Sequence, residues 1–189
     1  GVTNGADPLR VEVPEFSVRS LQQSTPASGA LNTFAITLIA NYDLPSGSTV
    51  TLSGLTGSLT ADSNLPISSS WNQLGENAIW TKLSGQLVLI AASGGTVAGQ
   101  ACTVEFTLRN AALAQPSPSV SVRAAMKDKF GTLVDLIKET QMTKPNNPLH
   151  GVPNGANPLA IVLPVFSIRH ITQFTPASCA INTLTVSLT

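Results

Sequence analysis

The chain has 189 residues, of which 11% are charged, against about 25% in an ordinary soluble domain. Its ten basic residues balance its ten acidic ones. A neutral, Lys/Arg-poor surface argues against nucleic acid, whose binding runs on phosphate neutralisation, and against an anionic membrane surface. Ser and Thr, 20 of each, make up about a fifth of the chain, so solubility rests on hydroxyls or attached sugars rather than on charge.

Apolar residues come in short alternating runs punctuated by Pro and Gly. Leu9–Val13 (LRVEV) alternates, Pro14 interrupts, and Phe16–Gln22 (FSVRSLQ) resumes. Asn32–Ala40 (NTFAITLIA) puts Phe34, Ile36 and Leu38 on one face of a strand and Thr33, Ala35 and Thr37 on the other. After the turn Asp43–Ser48 (DLPSGS), Thr49–Leu55 alternates through Val50 and Leu52, with a bend expected at Gly54. Asn64–Ile79 reads as the longest loop; it carries Trp71, with Trp80 just beyond it. Gln86–Ala92, Cys102–Arg109 (CTVEFTLR) and Ser119–Ala125 (SVSVRAA) complete the clear set. Gly131–Thr143 is ambiguous: Leu133, Leu136, Ile137 and Thr140 have helical spacing, yet Thr132, Val134 and Ile137 suit a strand, which is preferred. Period-two alternation bounded by turn residues, with no helix between the runs, predicts an all-β antiparallel sandwich.

The opening of the chain returns at its end. Residues 151–189 align with residues 1–39 without a gap, at an offset of 150, with 20 of 39 positions identical. An ungapped match at a fixed offset is the mark of an array, so the chain is expected to be a window on a longer tandem-repeat protein. The expected division is a sandwich unit over 1–144, a Pro/Asn/Gly-rich connector over 145–158, and the opening strands of the next repeat over 159–189. Pro-containing turns stiffen the connector and keep helix out of it, which sets the angle between neighbours.

Residues suited to catalysis are sparse. The only histidines are His150, in the connector, and His170, which replaces Ser20 of the first copy. Glu12 and Glu15 become Val162 and Val165, which undercuts an acid/base pair. No HExxH, CxxC, GxSxG or phosphate-loop pattern occurs, and Ala61–Asn64 reads as a capped turn. The expectation is therefore no enzyme, no cofactor and no metal. The longest apolar run, Leu87–Ala92, is far short of the roughly 20 residues of a membrane helix, so no membrane insertion is expected. No Asn heads an N-linked glycosylation sequon. The Pro116-Ser117-Pro118-Ser119 alternation is a candidate O-glycosylation site, as are Thr25-Pro26 and Thr175-Pro176; a plain extended loop explains the first equally well.

Two cysteines remain. Cys179 replaces Gly29 of the first copy, while Cys102 begins an expected strand. A Cys102–Cys179 disulfide would bind the next copy to the preceding body and close a long loop. The alternatives are a bend-to-strand disulfide within each unit, whose partner this copy has lost, and two free thiols.

At TPAS(G/C)A-(L/I)NT, DLPSGSTVTLSGLTGS and GGTVAGQACTVEFTLRNAALAQPSPSVSV, the chain resembles the Ser/Thr-rich, immunoglobulin-like tandem repeats of very large secreted or cell-surface proteins of algae and other protists. The matching blocks are residues 25–58, 85–123 and 175–189, roughly half the chain. The resemblance implies an immunoglobulin-like sandwich in an extracellular structural or adhesive array, glycosylated and without catalytic residues. The expected function is a structural repeat of an extracellular fibre or surface filament. Its partners are neighbouring copies joined head to tail, with strand complementation by the next copy's opening strands. The alternative is an adhesin or carbohydrate-binding array in which Trp71, Trp80 and Asn72 meet sugar rings. A third reading, an ice-binding face of Thr33/Thr37 and Thr49/Thr51, is weak because Thr is ordinary on the wet face of a sheet.

Overall fold

A computed structural model describes residues 6, 8, 9, 11–70, 73–127 and 130–189. Among these the strands, in chain order, are β1 (Phe16–Gln23), β2 (Leu31–Ala40), β3 (Thr49–Ser53), β4 (Ser63–Ser69), β5 (Asn77–Thr81), β6 (Gln86–Ile90), β7 (Cys102–Arg109), β8 (Ser121–Lys127), β9 (Leu133–Gln141), β10 (Arg169–Gln173) and β11 (Leu184–Leu188). The first nine run in the order β1-β2-β7-β4-β5-β6-β3-β8-β9, each pair antiparallel. They form two layers because β4 belongs to both. Ser63–Pro66 pair with β5, whereas Ile67–Ser69 pair with β7.

The far side closes as well. Beyond β9 the chain lies parallel to β1, with Leu21 N–H donating to Thr143 O at 3.2 Å and Thr143 N–H to Arg19 O at 2.8 Å. The Arg19 side chain also donates from Nε to Gln141 O at 2.8 Å. One bridge, at Ser20 and Thr143, thus joins the two lateral edges of the sandwich beyond the end of β9.

The core follows from the alternation. In β2, Asn32, Phe34, Ile36, Leu38 and Ala40 are buried in turn; in β7, Cys102, Val104, Phe106 and Leu108 are. Phe34 and Phe106 lie opposite one another and stack at 5.3 Å between ring centroids. From the other layer, Val50, Leu52, Leu87, Leu89, Val122 and Trp80 complete the apolar interior. The bend after β3 needs a residue without a side chain: Gly54 has φ 94°, and a Cβ there would lie 2.2 Å from Ser119 O.

Two features depart from the sequence-based expectation. Leu9–Val13 forms no strand among its described residues, and its apolar side chains are exposed. Asn64–Ile79 is not a loop but holds β4 and the start of β5. Pro66 and a run of serines masked β4, yet Pro66 is tolerated because it sits where the strand leaves one layer for the other. Gly131–Thr143 contains β9, the strand preferred for it over a helix.

The last two strands stand apart. β10 and β11 form a two-stranded sheet of their own, exposed on both faces. Their register repeats that of β1 and β2 with 150 added to each number. Arg19↔Leu38 becomes Arg169↔Leu188, and Gln23↔Phe34 becomes Gln173↔Leu184. The turn repeats too: Asn32 Oδ1 accepts from Ser24 N and Thr25 N, as Asn182 Oδ1 does from Phe174 N and Thr175 N. Cys179 holds φ 61° where Gly29 holds φ 67°. What differs is cover: Leu21, Phe34 and Ile36 are fully buried, whereas Ile171, Leu184 and Val186 are about 60% exposed. The expected strand complementation of the preceding body by these strands is therefore not formed. A segment just before them makes that contact instead.

Candidate functional site

Residues 144–162 turn back onto one end of the sandwich and lock there. The path is set by left-handed residues at Asn146, His150, Gly151, Asn154 and Leu159, conformations that Gly and Asn adopt at least cost. A reciprocal pair braces the turn: Asn146 N–H donates to Asn157 Oδ1 at 2.8 Å, and Asn157 Nδ2 donates to Asn146 Oδ1 at 2.9 Å. Leu149 and Val152 exchange backbone hydrogen bonds of 3.0 Å. The folded turn then presents Gly155–Leu159, all buried, to the body.

Gln23, at the end of β1, receives it. Its Nε2 donates to Gly155 O at 2.8 Å and to Ala160 O at 2.9 Å, while its Oε1 accepts from Leu159 N at 2.7 Å and from Asn32 Nδ2 at 2.9 Å. All the hydrogen-bonding capacity of one amide is used, in a place where an unmet group would be costly. Asn32 donates onward to Asn110 Oδ1 at 2.8 Å, and Asn110 Nδ2 donates to Thr25 O and Ala27 O. Asn32 and Asn110 are fully buried. The three amides form a continuous polar seam from the docked segment into the sandwich.

Around the seam the chain adds backbone pairing and apolar contact. Gln115 and Ile161 exchange hydrogen bonds of 3.0 and 2.9 Å, Ser28 N–H donates to Val162 O, and Val162 N–H to Pro26 O. Gln115 Nε2 donates to Leu159 O at 3.1 Å. Leu159 is fully buried and joins the apolar core, and Ile161 is nearly so. Lys144 Nζ donates to Ser117 O at 3.2 Å, and burial holds its ammonium below the ordinary lysine value. His150, in the exposed turn, places Nε2 3.3 Å from Ser24 O.

The residues singled out from the sequence fare unevenly. Trp80 cannot serve as a sugar platform: it is 1% exposed, with its Nε1 donating to Thr60 O at 3.1 Å. Trp71 and Asn72 lie outside the described residues. In the Pro116–Ser119 alternation, the half-buried Ser117 spends its hydroxyl on Pro158 O at 2.7 Å, whereas Pro116 and Ser119 are exposed and Pro118 is half-buried. The Cys102–Cys179 disulfide is not formed. Cys102 faces inward from β7 beside Phe16 and Leu38, while Cys179 sits on the exposed turn between β10 and β11. A bridge requires Cα atoms within about 7 Å and side chains that face each other.

Burial pushes the Cys102 thiol above its ordinary value, with a smaller opposing effect from Ser70. N-ethylmaleimide should accordingly alkylate one thiol per folded chain, at Cys179, and the second only in denaturant. Two fast thiols, or none, would overturn these assignments.

Gln23, Asn32 and Asn110 were not anticipated as a group. A signal existed for two of them, since Gln173 and Asn182 repeat Gln23 and Asn32. Asn110 has no counterpart within the repeated 39 residues. Among the described residues, no group of three or more His, Cys, Asp or Glu could hold a metal ion, and no helix is long and apolar enough to cross a membrane.

No protein-family model matches this chain, and no curated protein matches it in sequence. Among solved structures it is similar to a cohesin module of a family 33 glycoside hydrolase from Clostridium perfringens. The two are 14% identical with a TM-score of 0.39, and the match covers 67% of this chain and 96% of that one.

Proposed function

We propose that this chain is a structural repeat of an extracellular fibre or cell-surface filament, its 150-residue units joined head to tail. One observation carries this. The residues that begin the second copy, 151–162, are locked onto the end of the first sandwich, and residues 166–189 then start the first copy's strand pattern again in the same register. Head-to-tail contacts between like units that do not close into a ring propagate as filaments. A joint made by buried amides and an apolar plug anchors the start of each unit to its predecessor, as a free linker would not. The low charge and high hydroxyl content suit a surface exposed to the medium, with the exposed Ser119 available to O-linked sugar. The carbohydrate-binding alternative has lost Trp80 as a stacking surface.

Concatemers of two, four and six 150-residue periods test the array. In small-angle X-ray scattering the maximum dimension should rise by a constant increment per unit at constant cross-section. Growth with roughly the square root of unit number, the behaviour of a flexible string, would refute it.

A further inference from the structure

We propose that residues 1–12 are a docking segment for a second copy of this module, fitting that copy's Gln23–Asn32–Asn110 socket as residues 151–162 fit it here. The proposal rests on the array put forward above and names its joint. The socket grips residues 151–162 mainly through backbone: Gly155 O, Ala156 O, Pro158 O, Leu159 N and O, Ala160 O, and both polar groups of Ile161 and Val162. What the docked shape demands of side chains is small bulk at 155, where a Cβ would lie 2.8 Å from Leu149 O of the segment's own turn, and residues that bury at 156, 158 and 159. Gly5, Ala6, Pro8 and Leu9 meet each demand at the same spacing. Asp7 stands where Asn157 does and keeps an oxygen able to accept from the amide that Asn157 Oδ1 serves. Ile161 becomes Val11, a conservative change for a buried position.

Leu9 supplies a second, independent observation. Leucine rarely takes positive φ, because its Cβ then crowds the following carbonyl. Leu159 holds φ 53° with its side chain wholly buried, where packing and three hydrogen-bonded carbonyls enforce it. Leu9 holds φ 61° while 99% exposed. Its φ is already close to that of Leu159, and its apolar side chain stands in water. A second copy's socket supplies the missing cover.

The test transplants the first segment into the position of the second within the full chain. Five substitutions do this: Pro153→Thr, Asn157→Asp, Ala160→Arg, Ile161→Val and Val162→Glu. Docking is read by hydrogen exchange at Gln23, Ser28 and Gln115, whose amides donate to Ala156 O, Val162 O and Ile161 O. The expected result is a melting temperature within about 4 °C of the parent and at least ~100-fold slowed exchange at those three amides. A chain that stays folded, with β2 and β7 amides protected but those three exchanging freely, would overturn the proposal. So would a chain that fails to fold. The readout concerns a single joint in one chain, so it is independent of whether concatemers scatter as rods.

Discussion

A chain ending at Val162 should melt at the temperature of the full chain, and a chain ending at Thr143 should melt far below it. The first deletion removes β10 and β11, which are exposed on both faces and make no pairing with the nine-stranded sheet. An isolated two-stranded hairpin contributes little stability of its own. The second deletion also removes Leu159 and Ile161 from the core, each worth about 2 kcal/mol of apolar burial. It further leaves Gln23 without three of its four partners, at a cost of about 1–3 kcal/mol for a buried amide so exposed. Together these amount to about 5 kcal/mol, or roughly 15 °C for a domain of this size. Differential scanning calorimetry of the three chains decides the matter. A large loss on removing 163–189 alone would mean that the hairpin, and not the locked segment, secures the sandwich.

The chain also contains its own control for the polar seam. Asn32→Ala should lower stability by about 3 kcal/mol, and Asn182→Ala by almost nothing. Both side chains accept from two backbone amides of the turn before them and donate to a glutamine nine residues earlier, Gln23 or Gln173. Only Asn32 does so fully buried, and only Asn32 reaches a second amide, Asn110. Its loss leaves Gln23 and Asn110, both buried, each short of a partner, and takes the side-chain acceptor from the half-buried Thr25 amide. At position 182 water fills the same vacancies at once. Equal effects in denaturant titration would mean that the turn geometry, and not burial, gives the asparagine its value.

Much of the sandwich was legible because its strands alternate cleanly. Phe34, Ile36 and Leu38 in β2, and Val104, Phe106 and Leu108 in β7, face inward as their spacing predicts. β4 was not legible: it serves two layers, so its pattern changes midway, and Pro66 reads as a breaker. The candidate site was half visible. The 150-residue offset marked 151–162 as a repeated segment, but a connector and a plug have the same composition of Pro, Asn and Gly. What separates them is whether Leu159 finds a cavity, and that depends on β1 and on Gln115, far away in sequence. The cysteines misled for the same reason, since spacing carries no information about which way a side chain faces.

The parallel seam between β1 and Thr143 has a mechanical consequence. A tensile load entering along the chain at Phe16 and leaving beyond Thr143 pulls the two strands past one another lengthwise. The bonds from Leu21, Thr143 and Arg19 across that seam are then strained together, in shear, instead of opening one after another like a zip. Forced unfolding is governed by the rate of the first rupture, so the sandwich should hold under force well beyond what its melting temperature suggests.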